Sequence, residues 1–467
     1  MNFKTIFRSF KSKDMLRRIG IVFGIIIAYR LLAHIPVPLG DASTFKDAVQ
    51  NFISSSDFGG FLNMISGGGL TSFSIILVGL SPFITASITT QLLTKAIPKL
   101  EELHNDGESG RRKINQWTRM IAVPLAILQS VAYIFILYQQ VVAANSAVAI
   151  EPTTMQWALS ITAMTAGSII LMWLGELITE QGVGNGISMV IFASIIASFP
   201  ATLAGLGTSL ADTSNGTLSL FGWFELPVNP SAFFITLGFG IGILIVLYFL
   251  VKINEAQRII TINYAKRIHG NSSYGGIKSI MPIKLIAAGV IPVIFAVAFL
   301  SLPAFIGQII KSADPGSQLA TNLTTWFSAP SASNFAGLSP EWFIYPICYF
   351  ILVVAFTFFY TSIVFNTKEI AENLQKQGSF IEGVRPGLAT EKYFNKIVKH
   401  LNLFGALALG LIAMLPFITD YLFIIISGAP IGLSLSGTGL LIVVTVALES
   451  LRQLNSRALM VTYDEFK

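Results

Sequence analysis

Long apolar runs alternate with polar connectors along almost the whole chain. A helix needs about 20 mostly apolar residues to cross a bilayer. Ten stretches fit, at about 17–36, 74–95, 118–140, 155–178, 187–206, 232–251, 286–308, 341–364, 400–420 and 436–455. Pro124, Pro200, Pro292 and Pro346 fall inside or near them; membrane helices tolerate such prolines, often as kinks. Two longer polar stretches, roughly 205–231 and 309–340, are rich in Ser, Thr, Asn, Gly and Pro and read as flexible connectors. The first divides the chain into an amino-terminal half, 1–210, and a carboxy-terminal half, 211–467, with five spans each. Five is odd, so the second half starts on the opposite side from the first, which is the arithmetic of an inverted repeat.

One stretch breaks the pattern. Phe58–Leu93 reads FGGFLNMISGGGLTSFSIILVGLSPFITASITTQLL. Its second half, Ser74–Leu93, is long enough to span. Its first half, about 58–73, is interrupted by Gly67, Gly68 and Gly69. Glycine costs a helix about 1 kcal/mol per residue against alanine, so the pattern predicts a short, broken helix leading into a full one. Irregular backbone at membrane depth survives only where protein buries it or water meets it. A half-helix folded back into a cavity satisfies that rule; composition alone favours the plainer alternative, an outer loop with some apolar residues.

Composition makes the membrane assignment firm. Of 467 residues, 53% are hydrophobic and 12% charged, with mean hydropathy +0.70; a soluble domain carries about 25% charge. The net charge of +6 is informative by position. Twenty-seven of the 30 Lys and Arg fall in the amino-terminal tail, the loops after the second, sixth and eighth spans, and the carboxy-terminal tail. The other side keeps Lys46 and Lys311, with Arg30 inside the first span. Positive charge marks the cytoplasmic side, so both termini are expected there, as an even number of spans requires. No cleavable signal peptide is expected: Ile19–Ile35 contains Arg30 and is followed by no small-residue cleavage site.

Catalytic chemistry finds little footing. His34, His104, His269 and His400 are scattered, and no P-loop, nucleophile elbow or HExxH occurs. Cys348, the single cysteine, excludes an intramolecular disulfide. The cluster Gln181–Ser188 (QGVGNGIS) follows no strand and reads as a tight turn between the fourth and fifth spans. Glu176, Glu180 and Glu449 fall at the ends of the expected spans, whereas ion carriers place ionisable groups mid-membrane. The chain is therefore read as no enzyme, with no cofactor. Two loops carry more pattern than a basic connector needs. In 252–284, the alternating RIITINYA suggests a hairpin strand; a solvated basic loop and a projecting docking loop both fit. In 365–399, Gly383 and Pro386-Gly387 mark turns flanking Arg385.

Taken together, ISGGGLTSFSIILVGLSPFITASITTQLL, GELITEQGVGNGIS, AQR with NYAKR and AGVIP, and GxRPGxxTxxY from Gly383 through Thr390 to Tyr393 resemble the SecY family. These are channel-forming subunits of the Sec protein translocase, and the resemblance runs along essentially the whole chain. It implies an all-α polytopic membrane protein: ten transmembrane helices in two pseudo-symmetric inverted halves around an hourglass pore, with a short plug half-helix at about 58–73. The implied function is passage of unfolded secretory polypeptides across the bacterial inner membrane and lateral release of transmembrane segments into lipid. Position by position, it implies a pore ring of Leu80, Ile84, Ile191, Ile195, Ile294 and Ile442, and a plug containing Gly67, Gly68 and Gly69. It also implies a lateral gate with Ser87, Thr90, Gln91, Gln129 and Ile286, the last standing where the family commonly has Asn. Arg258, Lys266, Arg267 and Arg385 become partner contacts. The implied partners are SecE-like and SecG-like subunits, the SecA motor ATPase, the ribosome, signal sequences with nascent chains, and lipid. An aliphatic ring suits such a pore, because dewetting retains ions while flexible side chains fit around a passing chain. An inverted-repeat transporter and a structural membrane scaffold are the alternative classes. The first predicts a polar midplane site on broken helices; the second needs neither plug nor ring.

Overall fold

The structure is a computed structural model. It describes residues 13–38, 72–144, 153–211, 230–264, 278–286, 288–314, 316–327, 340–427 and 433–464, with 49, 66, 69–70 and the short strands 218–220, 224–226, 267–269 and 272–274. The chain is mostly helical, at 81%. In order come α1 (Lys13–Leu32), α2 (Ser81–Ala96), α3 (Pro98–Asn105), α4 (Gly107–Ala144), α5 (Thr154–Gln181) and α6 (Gly186–Ala211). The hairpin β1 (Leu218–Leu220) and β2 (Phe224–Leu226) precedes α7 (Pro230–Glu255). Then follow β3 (Gln257–Tyr264), β4 (Arg267–His269), β5 (Ser272–Tyr274), β6 (Lys278–Lys284), α8 (Ile291–Ala313) and α9 (Gln318–Phe327). The last group is α10 (Ile344–Val364), α11 (Thr367–Lys376), β7 (Ser379–Phe380), α12 (Leu388–Ser427) and α13 (Leu433–Asp464). The ten long helices α1, α2, α4 to α8, α10, α12 and α13 give the expected ten-helix arrangement. Six described stretches are long and apolar enough by themselves to cross a membrane.

The second span departs from its expected extent. Helix begins at Ser81, not Ser74, and 74–80 are a chain of turns. Pro82 sits in the first turn; its ring would clash with the carbonyl four residues back and it has no N–H for a helix running through it. Phe73 at φ 45° and Gly79 at φ 61° complete the break. At about 1.5 Å per residue the 16-residue α2 covers roughly 24 Å, short of the ~30 Å hydrocarbon core.

The turn segment 74–80 and the residues just before it have backbone groups met from several sides, while Ser74 Oγ is buried without a hydrogen-bond partner among the described residues. The Val37 N–H donates to Phe73 O at 2.8 Å, and Ile75 N–H to Ile35 O at 2.9 Å. The Ser72 hydroxyl donates to Ala33 O at 2.6 Å. Ser168 on α5 donates to Gly79 O at 2.9 Å. Leu70, Phe73, Leu77 and Val78 are buried in an apolar cluster with Tyr133 and Ile134 of α4, Met164 of α5 and Phe305 of α8.

A larger core joins the rest. Its buried members come from nine of the ten long helices, all but α4, and it includes Ile84, Val190, Val293, Tyr349, Phe417 and Val446. Tyr345 and Tyr349 stack within it at 6.1 Å between ring centroids, and Phe417 meets both edge-on at 5.6 and 5.8 Å.

Both polar connectors hold more order than their composition suggests. The first contains the β1–β2 hairpin, and α9 lies in the second. Ala320 of α9 is fully buried, and a Cβ on Gly307 of α8 would lie 2.8 Å from the Leu323 Cβ. The glycine admits that close approach, and packing rather than propensity orders the segment. Glu449 is also not at a helix end, because α13 runs on to Asp464. Its extension is held where Arg452 Nη2 donates to Asn254 O at 2.7 Å.

Candidate functional site

The expected ring residues come from four separate elements. Leu80 is the N-cap of α2 and Ile84 lies one turn inside it. Ile191 and Ile195 stand one turn apart on α6, Ile294 is on α8 and Ile442 on α13. Leu80, Ile84, Ile191, Ile294 and Ile442 are all buried members of the larger core, and Ile195, half-buried, packs against it. Ile286, just before α8, is buried in the same core. The chain there runs so close to α12 that a Cβ on Gly405 would meet the Leu285 carbonyl.

The segment expected to be a plug, 58–73, is described at 66, 69, 70, 72 and 73. Gly67 and Gly68 fall outside the described residues. Gly69 lies in a tight turn: its N–H donates to Ser66 O at 3.3 Å, and its carbonyl accepts from Ser74 N–H at 2.9 Å. A Cβ there would approach Ser74 Oγ to 3.0 Å.

The polar residues expected along a seam bond mainly within one side of it. Thr90 and Thr118 hydroxyls meet at 2.9 Å between α2 and α4, and Gln91 Nε2 donates to Ser87 Oγ at 3.0 Å within α2. The Oε1 atoms of Gln91 and Gln129 are buried without a hydrogen-bond partner among the described residues. No described bond of these side chains crosses to α8 or α10.

The two basic loops are one structure. β3 lies at the centre of a three-stranded antiparallel sheet, paired with β6 on one side and β7 on the other. Ile260, Ile262 and Ile283 pack with Leu374, Ile381, Phe394 and Ile397 beneath it. Arg258 is exposed on β3, and Arg385 is exposed beyond β7 in a turn where Gly383 and Gly387 take φ 79° and 94°. The Thr390 hydroxyl closes that turn on the Arg385 carbonyl at 2.9 Å. Arg267 lies in β4, and Lys266 falls outside the described residues. Sequence alternation reveals the hairpin but not its pairing with β7 or the helix α11. A signal for α11 is present in the sequence: Asn366 accepts from Glu369 N–H at 3.3 Å as an N-cap.

The short helix α3 is also absent from the sequence expectations. Ile97-Pro98 is its signal, since Pro favours the first helical turn. It borders a cavity of about 420 Å³ shared with α10, α11 and α12, lined by Lys95, Glu101, His104, Thr361, Lys399 and Asn402. Lys95 pairs with Glu101 at 2.8 Å and holds its carboxyl below the usual range. Burial, then the cations of Arg111 and Lys95, push the His104 imidazole down, while Glu101 opposes them. Arg119 of α4 pairs with Glu176 of α5 at 2.6 Å.

Residues 74–451 match the family SecY. A protein translocase subunit SecY of Streptomyces scabiei is 37% identical, over 98% of each chain. Among solved structures, one described as a protein conducting channel superposes with TM-score 0.60 at 20% identity, over 93% of this chain and 90% of that one. Sec61 of the canine ribosome-channel complex superposes with TM-score 0.55 at 18% identity, over 93% and 90%. At these identities the structures bear on the fold alone.

Proposed function

We propose that this chain, which belongs to the SecY family, is the channel-forming subunit of a protein translocase in a bacterial membrane. The observation that carries this reading is the match along 98% of its length to relatives named protein translocase subunit SecY. It is a multi-pass membrane protein that conducts unfolded polypeptide.

The residue assignments follow on this premise. Leu80, Ile84, Ile191, Ile195, Ile294 and Ile442 form the ring that seals the pore waist, a role supported by their place in one apolar core. The segment from 58 to 73 is the plug, entering from outside the cell. The seam between α2–α4 and α8–α10 is the lateral gate; Thr90–Thr118 and Gln91–Ser87 stiffen its first wall, and Ile286 makes its second less polar. Residues 1–210 and 211–467 are the two inverted halves, with both termini in the cytoplasm. The sheet of β3, β6 and β7 is then a rigid cytoplasmic platform. It presents Arg258, Lys266, Arg267 and Arg385 to a driving partner, either a SecA-like motor or the ribosome. Contact of such cations with ribosomal RNA phosphates is electrostatic and salt-dependent. SecE-like and SecG-like subunits complete the assembly.

Crosslinking tests the channel. In a Cys348→Ser background, Ile191→Cys places one thiol at the ring, and Ile196→Cys, 45% exposed on the same helix, is the control. With a secretory precursor arrested midway, Ile191→Cys forms the crosslink and Ile196→Cys does not. Equal yields, or none with arrest verified, would refute the ring assignment.

A further inference from the structure

Tyr29 of α1 is 1% exposed, deep in the larger core, and besides its neighbour Arg30 its hydroxyl meets two elements. Ser194 Oγ of α6 lies 2.6 Å away, and the carbonyl oxygen of Ser66, in the plug segment, lies at 3.3 Å. Ser194 has a second option, since its hydroxyl reaches Val190 O at 2.9 Å. Ser194 is 1% and Ser66 3% exposed, so water does not substitute for any of these partners while the segment is seated.

Each hydroxyl carries a single proton, and the 2.6 Å contact needs one of the two between its oxygens, which leaves two complete patterns. In one, Ser194 donates to Tyr29 and Tyr29 donates to Ser66. In the other, Tyr29 donates to Ser194 and Ser194 donates to Val190. The first pattern holds the plug segment. The second needs no plug segment, and it leaves neither hydroxyl proton unpaired in the apolar core. A buried donor left without an acceptor is expensive, so the second pattern removes what would otherwise be a main cost of releasing the plug. Ser194 also stands between Ile191 and Ile195 on α6, so the exchange takes place directly beside the ring.

We propose that Tyr29 and Ser194 are positioning residues forming a hydroxyl relay: Tyr29 holds the plug, and Ser194 takes over its proton when the plug leaves. The proposal rests on the reading of this segment as the plug. It predicts effects of opposite sign. Tyr29→Phe removes the bond to Ser66 and frees the plug. Ser194→Ala leaves the Tyr29 proton an acceptor only while the plug is seated, and so retains it.

The test uses the full chain with its partner subunits in cells, in a Cys348→Ser background with Leu70→Cys. Leu70 is 1% exposed within the plug segment, and a membrane-impermeant maleimide added outside reports how often it is uncovered. Tyr29→Phe is expected to raise the labelling rate roughly threefold to tenfold, the worth of one hydrogen bond. Ser194→Ala lowers the rate below that of the parent, and Ser194→Thr, which keeps the hydroxyl, restores it. Tyr349→Phe, at a buried hydroxyl without a partner among the described residues, leaves it unchanged. If Tyr29→Phe and Ser194→Ala shift the rate in the same direction, or neither shifts it, the relay is overturned while the plug stands. If an arrested precursor fails to raise labelling in the parent, the plug reading itself fails and the relay with it.

Discussion

Ser168 of α5 donates its hydroxyl to the carbonyl oxygen of Gly79 across 2.9 Å. Its neighbour Gly167 has no room for a side chain, because a Cβ there would strike the Ile75 carbonyl. One helix face thus supplies both the donor and the space that the unwound stretch before α2 requires. Ser168→Ala should lower the melting temperature of the purified complex by an amount corresponding to ~1 kcal/mol, and Gly167→Val by more, since the latter must displace backbone rather than lose one bond. An unchanged melting temperature for Gly167→Val would contradict this packing.

Gly182 ends α5 in the left-handed conformation, at φ 66°. A Cβ there would run into the Arg457 guanidinium on α13. Gly182→Ala therefore carries two penalties: about 1 kcal/mol of backbone strain, and displacement of Arg457. Adding Arg457→Ala should recover the second part only. A double-mutant cycle on thermal stability measures the coupling, and strictly additive effects would mean that the two residues do not interact.

Arg385 is exposed on a turn fixed by Thr390 and two glycines. Arg385→Glu should leave stability within about 0.5 kcal/mol of the parent, as exposed substitutions do. It should nevertheless reduce partner-driven translocation in reconstituted vesicles by roughly tenfold, about one lost charge-assisted contact. Full translocation by Arg385→Glu would remove this turn from the docking surface.

The docking of α3 should respond to mild acid. The folded chain disfavours the His104 cation, mainly through burial and then through Arg111 and Lys95. Above histidine's ordinary 6.5 both folded and unfolded forms are neutral and pH has no effect. As pH falls below that value the undocked loop takes up a proton that the docked helix resists, so docking weakens until the folded form protonates too. Glu101 works in a separate window: its carboxyl is lowered by the hydrogen bond and charge of Lys95. That contribution is present above its ordinary 4.5 and is lost as pH falls through the lower folded value. Hydrogen exchange across 98–105, corrected for intrinsic rates, should rise between about pH 7 and pH 5 in the parent and stay flat in His104→Gln.

The platform formed by β3, β6 and β7 marks the limit of local sequence patterns. The alternation in RIITINYA announces a strand, and β3 is there. Nothing in SF at Ser379–Phe380 announces β7, because a two-residue strand has no period of its own. Its pairing, Asn263 with Phe380 and Tyr264 with Ser379, joins residues more than a hundred positions apart. The expected ring shows the reverse case. Six aliphatic residues in apolar helices carry no individual signal, and only a resemblance singled them out.

Apolar run length, the clustering of basic residues and the glycine-broken stretch were enough by themselves to determine a ten-span membrane protein with a broken segment ahead of its second span. Each of these is a local property: a bilayer sets the length of a run, and a row of glycines weakens a helix wherever it lies. The tertiary structure decided where α2 starts and which helix faces gather around Ile191 and Ile294. It also decided that the Tyr29 hydroxyl lies within reach of both Ser194 and Ser66. Those outcomes depend on partners far apart in the chain, competing for a few buried donors and a fixed volume, and no local pattern records which partner wins.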